Sequence, residues 1–222
     1  MSGEPRVERS PKHVRGYRGG ALVVDSVAPL LVWEHAPYPT YHFPQDDVRA
    51  DLVPPGALTV PDAPTLAGLV RVNWSAMDEW FEEDEPVYVH ARDPYTRVDI
   101  LASSRHVVVE VGGVRVAESR QPRVLFETGL RPRYYLPLHD VRMDLLRPSA
   151  TTTMCPYKGT ATYWDVVVDD TDDQSTTHGS TTHRDVVWCY RAPLPESQKI
   201  AGLACFYDER VELSVTPGYG HR

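Results

Sequence analysis

The chain repeats itself, and the repeat limits what it can fold into. Residues 13–55 and 106–148 align without a gap at an offset of 93, and seventeen of the 43 aligned positions are identical. Chance pairing at ordinary composition gives about three, so a duplicated unit is the first expectation. The shared landmarks are Gly19-Gly20 with Gly112-Gly113, Ser26 with Ser119, Glu34 with Glu127, Tyr41 with Tyr134, and "DVRADL" (47–52) with "DVRMDL" (140–145).

Each copy reads as short strands. In "VVVEVGGVRVAES" (107–119) two β-branched runs flank a Gly-Gly pair that tolerates the positive φ of a tight hairpin. "RVLFE" (123–127) and "RYYLP" (133–137) read as two further strands, and "HDVRMDLL" (139–146) as one helical turn. Twenty prolines and fourteen glycines favour strands joined by turns over long helices. After residue 148 the copies diverge, and "WFEEDEPVYV" (80–89) is expected to rejoin "FYDERVELSV" (206–215). Pairing Trp80 with Phe206 sets an offset of 126, which is 33 more than 93, so the second copy carries 33 additional residues. Within them "ATYWDVVV" (161–168) and "RDVVWCY" (184–190) form a hairpin, and the polar linker 169–183 reads as a mobile loop. Short helices are expected at the start of "PESQKIAGLACFY" (195–207) and in "SAMDEWFEE" (75–83), the latter capped by Ser75. The expected architecture is mainly β: a tail (1–12), a shortened first domain (13–101), a boundary near 102–105, and a complete second domain (106–216).

A net charge of −8 argues against nucleic-acid binding, which depends on clustered cations. The N-terminal "MSGEPRVERSPKH" is polar and no apolar run is long enough for a membrane span, so a soluble, cytoplasmic protein is expected. Cys155, Cys189 and Cys205 form no CxxC pair, which predicts reduced thiols without a disulfide framework or cysteine zinc site. Cys189 and Cys205 lie in apolar runs that suit core packing. His178 and His183, near Asp169, Asp170, Asp172 and Asp173, read as exposed loop residues rather than a metal site. No metal and no organic cofactor are expected.

The stretch "TTTMCPYKGTATYW" (151–164) occurs in the second copy alone and contains one of only three lysines, Lys12, Lys158 and Lys199. Cys155 and Lys158 lie at i and i+3 around Pro156 and Gly159. In a turn the ammonium favours a reactive thiolate; alternatively, Lys158 forms a Schiff base with a carbonyl compound. The competing expectation is a buried structural cysteine beside a lysine paired to a carboxylate. Glu127 and Tyr134 are candidate proton-moving partners, with Tyr157, Arg133, Trp164 and Trp188 as substrate-binding candidates and Arg131 beside them. The shared Asp140, Arg142 and Asp144 read as a scaffold network holding the helical turn to the sheet. These residues predict an enzyme acting on a small anionic or carbonyl-containing metabolite. The alternatives are a non-catalytic ligand-binding module and a protein-interaction module using the 169–183 loop. Composition leaves the oligomeric state open.

The run "RVAESRQPRVLFETGLRPRYYLPLHDVRMDLLRPSATTTMCPYKGTATYW" (115–164) resembles the bacterial domain-of-unknown-function family numbered four hundred and twenty-seven, labelled nucleotidyltransferase-like. The resemblance covers 106–216, with 13–101 as a shortened copy, a tandem arrangement associated with actinobacterial members. It implies a small β domain similar to the β-tent of methionine sulfoxide reductase B. The paired CxxC zinc ligands of that wider group are missing here, as are a glycine-rich phosphate loop and a carboxylate pair set for magnesium.

Overall fold

The computed structural model describes residues 5–34, 38–169 and 179–218. The chain is mainly β, with short 3-10 turns in place of helices, and divides into two compact units, Met1–Pro94 and Tyr95–Arg222. The first unit contains β1 (Arg6–Arg9), β2 (Val14–Arg18), β3 (Ala21–Ser26), β4 (Leu30–Trp33), β5 (Thr40–Pro44), β6 (Leu58–Thr59), β7 (Leu69–Val72), β8 (Glu79–Glu82) and β9 (Glu85–Pro86). These form antiparallel sheets in the orders β1-β4-β5-β7-β6 and β3-β2-β8-β9, around a core that includes Val24, Phe43 and Trp80.

The second unit contains β10 (Val98–Ala102), β11 (His106–Val111), β12 (Val114–Ser119), β13 (Arg123–Glu127), β14 (Arg133–Leu136), β15 (Leu146–Cys155), β16 (Gly159–Asp169), β17 (Ser180–Cys189), β18 (Ala204–Phe206) and β19 (Glu212–Thr216). Seven strands form a sheet in the order β10-β13-β14-β18-β17-β16-β15, and three form another, β12-β11-β19. Alternation along each strand gives the larger sheet two different faces. Leu136, Trp164, Val166, Val187 and Phe206 pack with Val107, Val109 and Val116 of the smaller sheet, while Leu125, Tyr135, Tyr163, Trp188 and Cys205 build a second cluster on the other face. The 3-10 segment Pro195–Ile200 adds Ile200 to that second cluster.

Strand registers extend the repeat beyond its identities. β1 places Arg9 opposite Leu30, and β10 places Ala102 opposite Arg123, each partner 93 residues further on. β10 therefore opens the second unit, whereas the expected boundary near 102–105 left residues 97–101 in the first domain. The Gly-Gly hairpins repeat to the degree, with φ of +57° and +76° in both copies.

The rejoining point also moves. Trp80 pairs with Gly16, as Leu213 pairs with Val109, so the partner of Trp80 in the second copy is Leu213 and not Phe206. That offset is 133, which makes the addition 40 residues rather than 33. Its bulk is β15 and β16; β6 is a two-residue counterpart of β17, since both pair with the strand that follows β5 or β14. The aromatic-acidic likeness that suggested the other alignment misled because "FYDER" leaves β18 after Phe206 for a turn, while Trp80, Phe81 and Glu82 are all strand.

Smaller expectations change similarly. The 139–146 segment makes two 3-10 turns, Leu138–Asp140 and Met143–Leu145. The backbone N–H of Arg142 donates to Val116 O at 2.8 Å, as Arg49 N–H does to Val23 O, so main-chain bonds tie the turns to the sheet. The Arg142–Asp144 and Arg49–Asp51 pairs are exposed and contribute little. In "SAMDEWFEE" only Trp74–Ala76 is helical, capped by Asn73, whose side chain accepts from Ser75 N–H. Of the expected mobile loop, 170–178 lie outside the described residues and Ser180–His183 belong to β17. No helix among the described residues is long and apolar enough to cross a membrane.

A Cβ placed on Gly16 would lie 2.9 Å from Cζ3 of Trp80, so the first copy trades the Val–Leu pair of the second for Gly–Trp. Gly16→Val is expected to destabilise the first unit by about 1–3 kcal/mol through overpacking. Denaturant melts check this; an unchanged midpoint would show that the Trp80 pocket has room to spare.

Candidate functional site

The hairpin between β15 and β16 is the main feature that the first unit lacks, and it delivers Lys158. Cys155 pairs with Gly159, leaving Pro156, Tyr157 and Lys158 as the turn. Gly159 has φ of +90°, a region that favours glycine. The turn is pinned from outside: Leu194 N–H donates to Lys158 O at 3.1 Å and the Ser197 hydroxyl donates to Tyr157 O at 3.1 Å. From this anchorage the Lys158 ammonium reaches Glu127 at the end of β13 and forms an ion pair whose side chains are only 10% and 9% exposed.

The pair lies in the wall of a cavity of about 440 Å³ on the site face of the seven-stranded sheet. Four phenols and an indole line it. Tyr135 accepts a hydrogen bond from Trp188 Nε1 at 3.2 Å, and the Tyr163 hydroxyl lies 2.8 Å from Thr153 Oγ1 and 3.3 Å from the Tyr207 hydroxyl. Trp188 and Tyr207 rings lie 4.4 Å apart. Tyr190 completes the wall, 6% exposed, and its hydroxyl has no hydrogen-bond partner among the described residues. Burial pushes its pKa well above the ordinary phenol range, and nearby Cys155, Tyr163 and Glu127 push it further. Burial likewise raises Tyr135, and it raises Tyr207 to about 12 together with the Tyr163 hydrogen bond. These three phenols are therefore protonated hydrogen-bond donors at neutral pH.

Both arginines that line the rim, Arg131 and Arg133, are paired with carboxylates. Arg133 grips Glu209 with two bonds of 2.7 and 2.8 Å and also pairs with Asp208, while its guanidinium stacks over Trp188 and Tyr207 at 5.5 and 5.8 Å. Arg131 pairs with the same two carboxylates. The Arg133 hydrogen bond is the main cause holding Glu209 down at about 2.

Four of the sequence-predicted residues meet here: Lys158, Glu127, Arg133 and Trp188 line the cavity. Four do not. Tyr134 points to the opposite face, packs against the inter-sheet core and accepts a hydrogen bond from Arg105 at 2.9 Å; its neighbour Tyr135 takes the cavity position. Trp164 is likewise core, one residue out of phase with Tyr163. Cys155 is half-buried and outside the lining, and Tyr157 engages the 195–200 segment through its carbonyl. Tyr135, Tyr163, Tyr190, Tyr207 and Thr153 escaped sequence reasoning; alternation from Trp188 leads to Tyr190, while Tyr135 and Tyr163 follow only from strand pairing. Cys189 and Cys205 are buried, and His183 lies on β17. His178 is outside the described residues. Among the described residues no three His, Cys, Asp or Glu side chains converge as a metal site.

The first unit keeps the carboxylate and changes its partner. Glu34, the counterpart of Glu127, pairs with Arg71 of β7 at 2.8 Å, and buried His42 stands where the second unit has Tyr135.

A family model described as Domain of unknown function (DUF427) matches residues 6–61 and 99–216, segments that fall in the two units. A search of curated proteins gives no match.

The low Glu209 pKa sets a pH dependence. The folded value, about 2, lies below the ordinary 4.5, so its stabilising effect is present above about pH 5 and lost as pH falls towards 2. Glu209→Gln should therefore show a smaller drop in Tm between pH 6 and pH 3 than the parent, as followed by circular dichroism. Equal drops would remove Glu209 from the acid response.

Proposed function

The chain belongs to this family of unknown function, and we propose that its second unit is a small-molecule enzyme in which Lys158 forms a Schiff base with a carbonyl compound. The observation that carries the reading is the Lys158–Glu127 pair: an amine and a proton acceptor in direct contact, shielded from bulk water, in the wall of a cavity large enough for a metabolite. Glu127 takes one proton from the ammonium, and the freed lone pair adds to the carbonyl carbon. The carbonyl oxygen, protonated twice, leaves as water. The net change is ammonium plus carbonyl to protonated imine plus water. Phenols along the wall hold the oxygen as charge develops on it. Because Cys155 is outside the lining, geometry favours the lysine over the thiolate route. A cytoplasmic setting, in which the three free cysteines stay reduced, is part of the proposal.

A second reading, a binding module without chemistry, draws on the Glu34–Arg71 pair of the first unit. An arginine there supplies the same charge and cannot form an imine, so the carboxylate has a structural use in both copies.

Borohydride reduction in the presence of a panel of aldehydes and 2-oxo acids should leave one mass adduct, located by peptide mapping on Lys158 and missing from Lys158→Arg. Labelling shared equally with Lys12 and Lys199, or missing with every compound, would contradict the Schiff-base reading.

A further inference from the structure

On the basis of that reading, we propose that the substrate is an uncharged aromatic aldehyde or ketone whose carbonyl oxygen accepts a hydrogen bond from Tyr190. Two independent observations lead there.

The first is the charge balance. Lys158, Arg131 and Arg133, the cations that line the cavity, are each held in an ion pair with Glu127, Asp208 or Glu209, and Arg210, 5.8 Å from the Tyr207 ring, donates to the carbonyls of Arg184 and Asp185. A phosphate or carboxylate entering this cavity meets lining cations that are already paired and lies beside the Glu127 and Glu209 carboxylates. An uncharged ligand carries no such penalty. The walls supply what a flat ring uses: Trp188 tilted against Tyr207 at 4.4 Å, and Tyr163 parallel to Tyr207 within 11° at 6.4 Å. The volume, about 440 Å³, suits a compound of one or two rings.

The second is Tyr190. Tyr163 and Tyr207 share a hydrogen bond and Tyr135 accepts one from Trp188, whereas Tyr190, more than nine-tenths buried as a residue and lining the same cavity, has no hydrogen-bond partner among the described residues. Its oxygen is not among the fully buried unpartnered atoms of the described residues, so the hydroxyl opens on the cavity, where a ligand acceptor takes the place of water. Tyr190, Lys158 and Glu127 line one and the same cavity. A carbonyl oxygen there receives a hydrogen bond from Tyr190 while its carbon faces the Lys158 amine.

The test uses the full chain with acetophenone for reversible binding, followed by tryptophan fluorescence, and benzaldehyde, pyruvate and glyceraldehyde 3-phosphate for trapping with cyanoborohydride. Acetophenone should bind, benzaldehyde should label Lys158 at least tenfold faster than either charged carbonyl, and Tyr190→Phe should weaken acetophenone binding about tenfold. Because the hydroxyl holds no protein partner, Tyr190→Phe should keep the parent Tm. Equal or faster trapping of a charged carbonyl overturns the substrate class while leaving the Schiff base standing. Acetophenone binding that depends on Tyr190, with no adduct from any carbonyl, retains the ligand class and removes the Schiff base. No acetophenone binding, or binding indifferent to Tyr190→Phe, overturns the inference.

Discussion

The buried Lys158–Glu127 ion pair sets the terms for the second unit. Two charges with side chains about one-tenth exposed have lost most of their hydration, and only their mutual attraction offsets it. That attraction requires the end of β13, the β15–β16 turn and the segment that pins the turn to be in place together. Left-handed backbone at Gly159, the Leu194–Lys158 main-chain bond and the Ser197–Tyr157 bond are the means. The aromatic wall, by contrast, is built from strands whose positions the sheet already fixes.

Duplication makes the physical logic visible. Both copies present a glutamate at the same position of the repeat, and both give it a cation, from β7 in one and from a 40-residue addition in the other. Arg71 satisfies the charge with a group that stays protonated, whereas Lys158 satisfies it with one that can give its proton up. The added strands also carry Thr153 and Tyr163, and so create the cavity along with its amine. Tyr134 shows the same economy on the other face, since Tyr41 and Tyr134 both serve the scaffold, one bonded to Glu82 at 2.9 Å and the other to Arg105.

Much of this was legible in the residues. Local pattern gave the strands and the Gly-Gly hairpins, because β-branched runs and positive-φ dipeptides act over a few positions. The uniqueness of "CPYKG" located Lys158, and repetition drew attention to Glu127. What escaped was phase. Strand side chains alternate, so choosing Tyr134 rather than Tyr135, or Trp164 rather than Tyr163, crosses from cavity to core in one step. Composition cannot resolve that, since both faces of the sheet bury aromatics; only pairing partners do. The rejoining of the copies failed similarly, because Trp80 is matched by Leu213 through a compensating Gly16–Val109 exchange that erases sequence likeness.

The central claim is that Lys158 and Glu127 hold one another in place, and a double-mutant cycle measures it directly. Denaturant unfolding of the parent, Lys158→Met, Glu127→Leu and the double variant gives the coupling free energy. Each single change leaves a buried charge unpaired and should cost about 3 kcal/mol, while the double variant should lose less than the sum by more than about 1.4 kcal/mol. Additive losses, agreeing within about 0.5 kcal/mol, would contradict the account.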